Sequence, residues 1–289
     1  MQVDQERVIS GRGLPLARGY VPCRARLSPR SVNRATMPRL TLRFLGSVFL
    51  SLLVAATLIR HARAETPCQI PDNLALRDIS LPAAKQEVAA DRRLIVLTFG
   101  GSQPDGVHVD AASASRDTTY PGRLEAALSA ALPEVQVTVA NEPPPGKVSA
   151  DVPAQLPSLI ARTGAKVVIW GPGGRDVAAH AGLEAFRNAV NQGIDAVRHG
   201  GADLILLDTT FVPSPARMAS IEGYRERLLA AAEANHVPLL RRDGLMRRWS
   251  EDGTLNLAAQ DPAERVIVAH RLFSCVAQGL AAAIASAVR

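Results

Sequence analysis

A serine stands directly after a buried strand and a pair of glycines. Residues 94–98 form an apolar run typical of a β-strand, and Phe99, Gly100 and Gly101 lead from it to Ser102. Glycine allows a sharp turn because it lacks a Cβ, and ligands bind at the carboxyl edge of an open α/β sheet. The pattern predicts that Ser102 is a nucleophile at this edge. The alternative is that its hydroxyl caps the segment that follows.

A serine hydroxyl becomes a working nucleophile only when a base takes its proton. Three histidines are candidates for this base: His108 lies six residues after Ser102, His180 follows a later strand, and His270 falls in the last helical segment. We favour His180 and His108, since both are expected in loops at the same edge as Ser102. The alternative for each histidine is a surface residue or a hydrogen-bonded structural residue.

Apolar runs that are typical of strands alternate with segments of helical periodicity after residue 92. This alternation of strands and helices predicts a parallel sheet with helices on both faces. The expected strands are 94–99, 135–140, 166–170, 204–207 and 237–240, and the expected helices are 120–132, 152–163, 183–199, 219–235 and 263–287.

Three short blocks follow the first three strands. They are F-G-x-S at 99–102, N-x-x-x-x-G at 141–146 and G-G-x-D at 173–176. In this order they resemble the SGNH (GDSL-type) hydrolases, and the resemblance covers residues 92–289. It implies a three-layer α/β/α fold with a parallel flavodoxin-like sheet. It also implies an esterase, lipase or deacetylase activity, with a serine nucleophile, an oxyanion hole and a D-x-x-H pair near the C-terminus.

The resemblance assigns roles to the matching positions and shows two departures. Ser102 falls on the nucleophile and Gly146 on the oxyanion-hole glycine, whereas Arg175 stands where the family has asparagine. Guanidinium carries five N–H donors, so Arg175 could replace the asparagine as an oxyanion donor. The histidine of D-x-x-H is missing: counting from Asp252 places Leu255 there, and counting back from Cys275 places Ile267 there.

These assignments lead to a serine esterase or deacetylase acting on small acyl esters, with altered catalytic machinery. The predicted catalytic residues are Ser102, Gly146, Arg175 and His180, and the predicted ligand-binding residues are Gly101, Asn141, Gly174, Asp176 and His108. One alternative is an inactive SGNH-fold protein that holds an anionic or carbohydrate ligand at Arg175. Another is a structural envelope protein. No cofactor is expected, and the Cys and His spacing predicts no metal site.

The N-terminal part of the chain predicts export. Residues 37–64 combine a basic start, an apolar run and a small-x-small pattern, which is typical of a signal peptide cleaved after Ala64. We therefore expect a secreted or periplasmic protein with no membrane segment after cleavage; the alternative is an uncleaved anchor. Residues 1–36 are expected to be a non-native upstream extension, residues 65–91 an N-terminal wrap and residues 92–289 the hydrolase-like domain.

The charge and the cysteines fit an exported protein. The whole chain carries a formal charge of +6, but residues 65–289 contain 22 Lys and Arg against 25 Asp and Glu. The basic excess thus belongs to the leader and gives no reason to expect nucleic acid as a partner. Cys68 and Cys275 form a candidate disulfide in an oxidising compartment; the alternative is two separate thiols. The expected partner is a small-molecule or carbohydrate ester.

Overall fold

Five parallel strands form one sheet at the centre of the protein. The computed structural model describes residues 68–100, 119–142 and 148–289. The strand order is β2-β1-β3-β4-β5, and every pair is parallel. This is the flavodoxin-like order, which confirms the predicted fold. The strands are β1 (Arg93–Gly100), β2 (Gln136–Asn141), β3 (Val167–Gly171), β4 (Asp203–Leu207) and β5 (Leu239–Leu240).

Helices cover both faces of this sheet and make it the middle of three layers. One face packs against α1, α2, α7 and α8, and the other packs against α3, α5 and α6. The helices are α1 (Pro82–Asp91), α2 (Tyr120–Ala131), α3 (Leu156–Thr163), α4 (Gly174–Ala178), α5 (Leu183–His199), α6 (Pro215–Ala234), α7 (Arg242–Glu251) and α8 (Pro262–Val288).

Successive residues of the central strands enter opposite cores. In β3, Val167 and Ile169 pack on the α8 face, while Val168 and Trp170 pack on the α5 face. Side chains alternate across a strand, so a strand covered on both faces must be apolar throughout. This is why the continuous apolar runs of the sequence predict the central strands correctly.

Some predicted elements differ from those in the structure. The helix expected at 152–163 begins as two 3-10 turns, Ser149–Asp151 and Pro153–Gln155, before α3 starts at Leu156. Proline lacks the N–H that an α-helix interior needs, so Pro153 is confined to the start of a turn. The last strand shrinks to Leu239–Leu240. The structure also adds three helices that the sequence pattern did not predict: α1, α4 and α7.

The N-terminal segment is tied to the core by a disulfide. Cys68 and Cys275 are bonded, with their Cα atoms 5.2 Å apart, which confirms the predicted pair. Beside it the Trp249 indole N–H donates to the carbonyl oxygen of Gln69 at 2.9 Å. A Cβ on Gly279 of α8 would lie 2.7 Å from the Ile70 side chain. The segment predicted as a wrap therefore packs closely against α7 and α8, and its last part forms α1.

One helix of the described residues is long and apolar enough to cross a membrane by length and composition. This is α8, and 67% of its most apolar window is buried inside the protein. Its neighbours are α2, α1 and the disulfide-linked segment. Within the fold, α8 therefore serves as a core helix.

Candidate functional site

The ends of the first three strands, where the predicted blocks begin, lie side by side at the carboxyl edge of the sheet. Gly100 at the end of β1 pairs with Gly171 at the end of β3, and Thr98 pairs with Asn141 at the end of β2. The chain that leads to Ser102 thus leaves the sheet between the loops that follow β2 and β3. Four predicted site residues lie outside the described residues: Gly101, Ser102, His108 and Gly146.

Asn141 occupies the last position of β2 with its side chain exposed. The hydroxyl of the buried Thr98 lies 3.3 Å from the Ala140 carbonyl oxygen and 3.4 Å from Asn141 Oδ1. The N–H of Glu142 donates to the Thr98 carbonyl oxygen at 3.1 Å and extends the pairing by one residue. Asn141 is therefore anchored through its backbone at the edge of the predicted site.

The turn between β3 and α4 requires glycine at one position. Gly173 has a φ of 108°, which side chains rarely adopt, and a Cβ there would lie 3.5 Å from Thr209 Cγ2. The turn starts α4 at Gly174 and leaves the Gly174 and Arg175 positions exposed. Arg175 is thus exposed in the short helix that follows β3.

Asp176 faces inward and has a structural partner. Its carboxylate is 2% exposed and accepts hydrogen bonds from the Ser149 N–H at 3.0 Å and from the Ser149 hydroxyl at 2.7 Å. Ser149 follows the loop after β2, whereas Asp176 follows β3, so this interaction spans the end of β1. We call it the Asp176–Ser149 clamp.

His180 lies two residues beyond α4, the short helix that carries Arg175. Its side chain is exposed, and its backbone is left-handed with a φ of 51°. Its N–H donates to Val177, and the N–H of Ala181 donates to Asp176, which is a common way to terminate a helix. The hydroxyl of Tyr224 donates to the Ala181 carbonyl oxygen. The backbone of the segment that carries His180 is therefore held in place after α4.

Neither of the two positions that align with the family histidine holds a side chain that can accept a proton. Leu255 is 2% exposed in the core, and its N–H donates to the Trp249 carbonyl oxygen at 2.8 Å. Ile267 lies on α8 and is 67% exposed. The Asp252 carboxylate accepts hydrogen bonds from Thr254, which lower the pKa of Asp252. His270 is half-buried on α8, three residues after Ile267.

A buried charge cluster lies behind the same edge. Asp208, fully buried after β4, accepts from the Thr209 N–H at 2.7 Å, and its Oδ2 lies 3.4 Å from Arg225 Nε. Arg225 Nε also lies 3.7 Å from Asp243, which accepts from Arg247 at 2.7 Å. Burial raises the pKa of Asp208, and the positive charge of Arg225 opposes that rise. The only sequence signal for this cluster is an acid directly after an apolar strand.

Comparison with known proteins identifies the family. The model of the Non-GDSL lipase-like family matches residues 67–289 of this chain. The chain belongs to the Non-GDSL lipase-like family. Together with the parallel sheet, this membership confirms the predicted resemblance to SGNH-type hydrolases. No curated protein sequence matches the chain.

Solved structures share the fold at low sequence identity. The R55A variant of Axe2, an acetyl-xylooligosaccharide esterase from Geobacillus stearothermophilus, is 15% identical with a TM-score of 0.50. That match covers 66% of this chain and 93% of Axe2. TesA is 21% identical with a TM-score of 0.48, and the match covers 64% of this chain and 97% of TesA. The lipase/acylhydrolase from Enterococcus faecalis is 15% identical with a TM-score of 0.49, and the match covers 67% of this chain and 96% of that protein.

Across residues 68–100, 119–142 and 148–289, no group of three or more His, Cys, Asp or Glu side chains could hold a metal ion. At the carboxyl edge the described residues include the amide of Asn141 and the guanidinium of Arg175. Such groups stabilise developing negative charge and bind anions.

Proposed function

We propose that the chain is an exported ester hydrolase that cleaves small acyl esters with Ser102 as its nucleophile. The pairing of Gly100 with Gly171 carries this proposal, because Ser102 follows Gly100 by two residues and the loop that holds Arg175 and His180 follows Gly171. Membership of a lipase-like family supports an acyl-transfer reaction. Axe2 is an acetyl-xylooligosaccharide esterase. By analogy, we propose acetyl esters of envelope carbohydrate as the substrate of this chain.

The proposed reaction has two acyl-transfer steps. The Ser102 oxygen attacks the ester carbonyl carbon while the imidazole of His180, or of His108, takes its proton. The Gly146 N–H and the Arg175 guanidinium stabilise the negative oxygen of the tetrahedral intermediate. The alcohol then leaves with the proton that the imidazole returns. Water then attacks the carbonyl carbon of the acyl-serine while the imidazole takes its proton; the imidazole returns that proton to the Ser102 oxygen as the bond to the acyl group breaks, and the carboxylic acid leaves.

Export is part of the proposal. The apolar segment within residues 37–64 supports it, as does the Cys68–Cys275 disulfide. Disulfides of this kind persist in oxidising compartments and are rare in the cytosol. We therefore infer a secreted or periplasmic location.

Ser102→Ala is expected to abolish labelling of the purified protein by a fluorophosphonate probe. An activated serine oxygen attacks the phosphorus and displaces fluoride, and the alanine variant has no such oxygen. Labelling is measured by gel fluorescence and by the mass of the modified peptide. Ser158→Ala is the matched control, since the Ser158 hydroxyl donates to Gln155 on the exposed start of α3. Labelling that persists in Ser102→Ala would disprove the assignment of the nucleophile.

The second candidate function is ligand binding without cleavage. It is favoured by the buried Leu255 and the exposed Ile267, which occupy the two aligned positions of the family histidine. In this candidate the Arg175 guanidinium binds an anionic or carbohydrate ligand at the carboxyl edge. A protein that shows no fluorophosphonate labelling would fit this function.

Arg175→Ala is expected to remove the thermal stabilisation that sulfate or phosphate gives the wild-type protein. A ligand that binds only the folded state raises its unfolding temperature, and a guanidinium is a strong partner for such anions. Thermal unfolding with and without each anion measures the effect. Arg187→Ala is the matched control, because Arg187 pairs with Glu184 on α5. An equal shift in the Arg175 and Arg187 variants would exclude anion binding at Arg175.

A further inference from the structure

A cleft opens at the amino edge of the sheet, where β1 and β2 begin. Its volume is about 500 Å³, which lies within the range of small-molecule sites. One wall is α1 and the other is the turn between α2 and β2, while Val288 and Arg289 line it at the end of α8. The N–H of Gln136 donates to the Arg92 carbonyl oxygen at 2.7 Å, so the two walls meet where the strands start.

This cleft and the proposed serine chemistry belong to opposite edges of the sheet. The eight residues of β1, Arg93–Gly100, rise about 23 Å along the strand. Ser102 follows Gly100 by two residues, and two residues of chain span no more than about 8 Å. Whatever path the chain takes after Gly100, Ser102 is therefore at least about 15 Å from the start of β1. The cleft lies beyond the reach of a small acyl ester bound at Ser102.

One face of α1 gives the cleft two cations with an apolar stretch between them. Lys85, Val88, Ala89 and Arg92 all line it. Residues spaced by three, four and seven positions lie on one side of a helix, and this is the spacing of the four. Two helical turns separate Lys85 from Arg92, and Val88 and Ala89 lie between them. An anion with an apolar group attached would contact both kinds of surface on this wall.

Stabilisation of helix ends accounts for only part of this positive charge. Arg92 follows the last turn of α1, and Arg289 donates to the Ala131 carbonyl oxygen at the end of α2 at 2.7 Å. Cations are favourable at both places, because helix C-termini carry partial negative charge. Lys85 is the fourth residue of α1, near the end where the helix dipole disfavours a cation. Its ammonium has no hydrogen bond or ion pair with the other residues that the structure describes.

The opposite wall is apolar apart from one carboxylate. Leu132 and Val135 line it together with Glu134. Glu134 Oε2 lies 3.8 Å from Arg92 Nη1, and both side chains are mostly exposed, so this ion pair is weak. The side chains that line the cleft therefore carry three positive charges and one negative charge, an excess of two.

We propose that this cleft binds an organic phosphate monoester that carries an apolar group. A phosphate monoester has a charge of about −1.5 to −2 at neutral pH, which matches the excess positive charge of the lining side chains. Its oxygens accept hydrogen bonds from the Lys85 ammonium and the Arg92 guanidinium, and both groups are common phosphate partners. The apolar group lies against Val88, Ala89 and Val135.

Calorimetric titration of the purified protein with 1-naphthyl phosphate tests the proposal. We expect this compound to bind at least about tenfold more tightly than 1-naphthol, which lacks the charged acceptor. It should also bind at least about tenfold more tightly than inorganic phosphate, which buries no apolar surface. Its affinity should fall as sodium chloride is raised, because the cations of the cleft are exposed to solvent.

Two substitutions remove the cations singly. Lys85→Gln and Arg92→Gly are each expected to weaken 1-naphthyl phosphate about fivefold, the size expected for an exposed charge pair. Arg92 has a left-handed backbone with a φ of 50°, which glycine adopts readily, so Arg92→Gly keeps the turn after α1. Unchanged affinity in both variants would overturn the proposal.

Ala89→Glu places a carboxylate inside the cleft, and we expect it to weaken 1-naphthyl phosphate at least about tenfold, since like charges repel. Ala90→Glu is the matched control, because Ala90 is exposed on the same helix outside the cleft lining. It adds the same charge and should leave the affinity close to that of the wild type. Equal losses in the Ala89 and Ala90 variants would contradict the proposal, as would equal affinity for 1-naphthyl phosphate and 1-naphthol.

Arg175→Ala shows at which edge of the sheet the phosphate binds. If this substitution removes the binding and Ala89→Glu does not, the phosphate binds at the carboxyl edge and the proposal is wrong. Absence of binding in both calorimetry and thermal unfolding would also disprove it. Ser102 takes no part in these measurements, so the proposed ester hydrolysis and the phosphate site can fail independently.

Discussion

Cys68→Ala is expected to lower the free energy of unfolding by about 5 kcal/mol, because it releases a very long covalent loop. The disulfide joins residues 207 positions apart, and the entropy lost by the unfolded chain grows with that separation. Cys68 is partly exposed whereas Cys275 is fully buried, so the Cys68 variant breaks the bond without emptying space in the core. Guanidinium chloride unfolding, followed by circular dichroism, measures the loss.

Reduction of the wild-type protein provides the control for this prediction. A reductant should bring the wild type to the stability of Cys68→Ala, and it should leave the variant itself unchanged. Hydrogen exchange should also increase at the Gln69 and Ile70 amides, since the covalent link is lost and this part of the segment keeps only noncovalent contacts, such as those with Trp249 and Gly279. An identical unfolding midpoint for the oxidised wild type and the variant would contradict the prediction.

Asp176→Ala is expected to lower the free energy of unfolding by about 3 kcal/mol, since hydrogen bonds to a charged group contribute about 1.5–3 kcal/mol each. The variant removes both hydrogen bonds of the Asp176–Ser149 clamp and leaves the N–H and hydroxyl of a buried serine without their acceptor. It also frees the loops after β2 and β3, which flank the chain to Ser102. We therefore expect slower fluorophosphonate labelling together with the lower stability.

Ser149→Ala separates the two hydrogen bonds of the clamp. It removes the hydroxyl bond and retains the backbone bond, so its loss of stability should be clearly smaller than that of Asp176→Ala. Combining the two substitutions should cost less than the sum of the single losses, because they remove a shared interaction. Additive losses in chemical denaturation would show that Asp176 and Ser149 stabilise the fold independently.

The strands of this protein could be predicted because each carries its own local signal. Residues 167–170 are apolar at every position, and this pattern is typical of a strand covered on both faces. The prolines at 153 and 157 lie where two 3-10 turns precede α3, and the helical spacing of 152–163 alone did not indicate this interruption. The helix α7 was missed because its apolar residues Leu245, Met246 and Trp249 stand among arginines, and only burial shows which face is inward.

The sequence by itself determined the order of the strand-end blocks, the family resemblance and the cysteine pair, since each depends on residue type and position along the chain. Only the tertiary structure decided which partner each polar side chain has. Asp176 is buried and accepts hydrogen bonds from Ser149, a pairing that no sequence pattern indicated, and the buried hydroxyl of Tyr120 had no sequence signal either. The physical reason is distance: such partners are brought together by helices and strands far apart in sequence, so no local pattern records them.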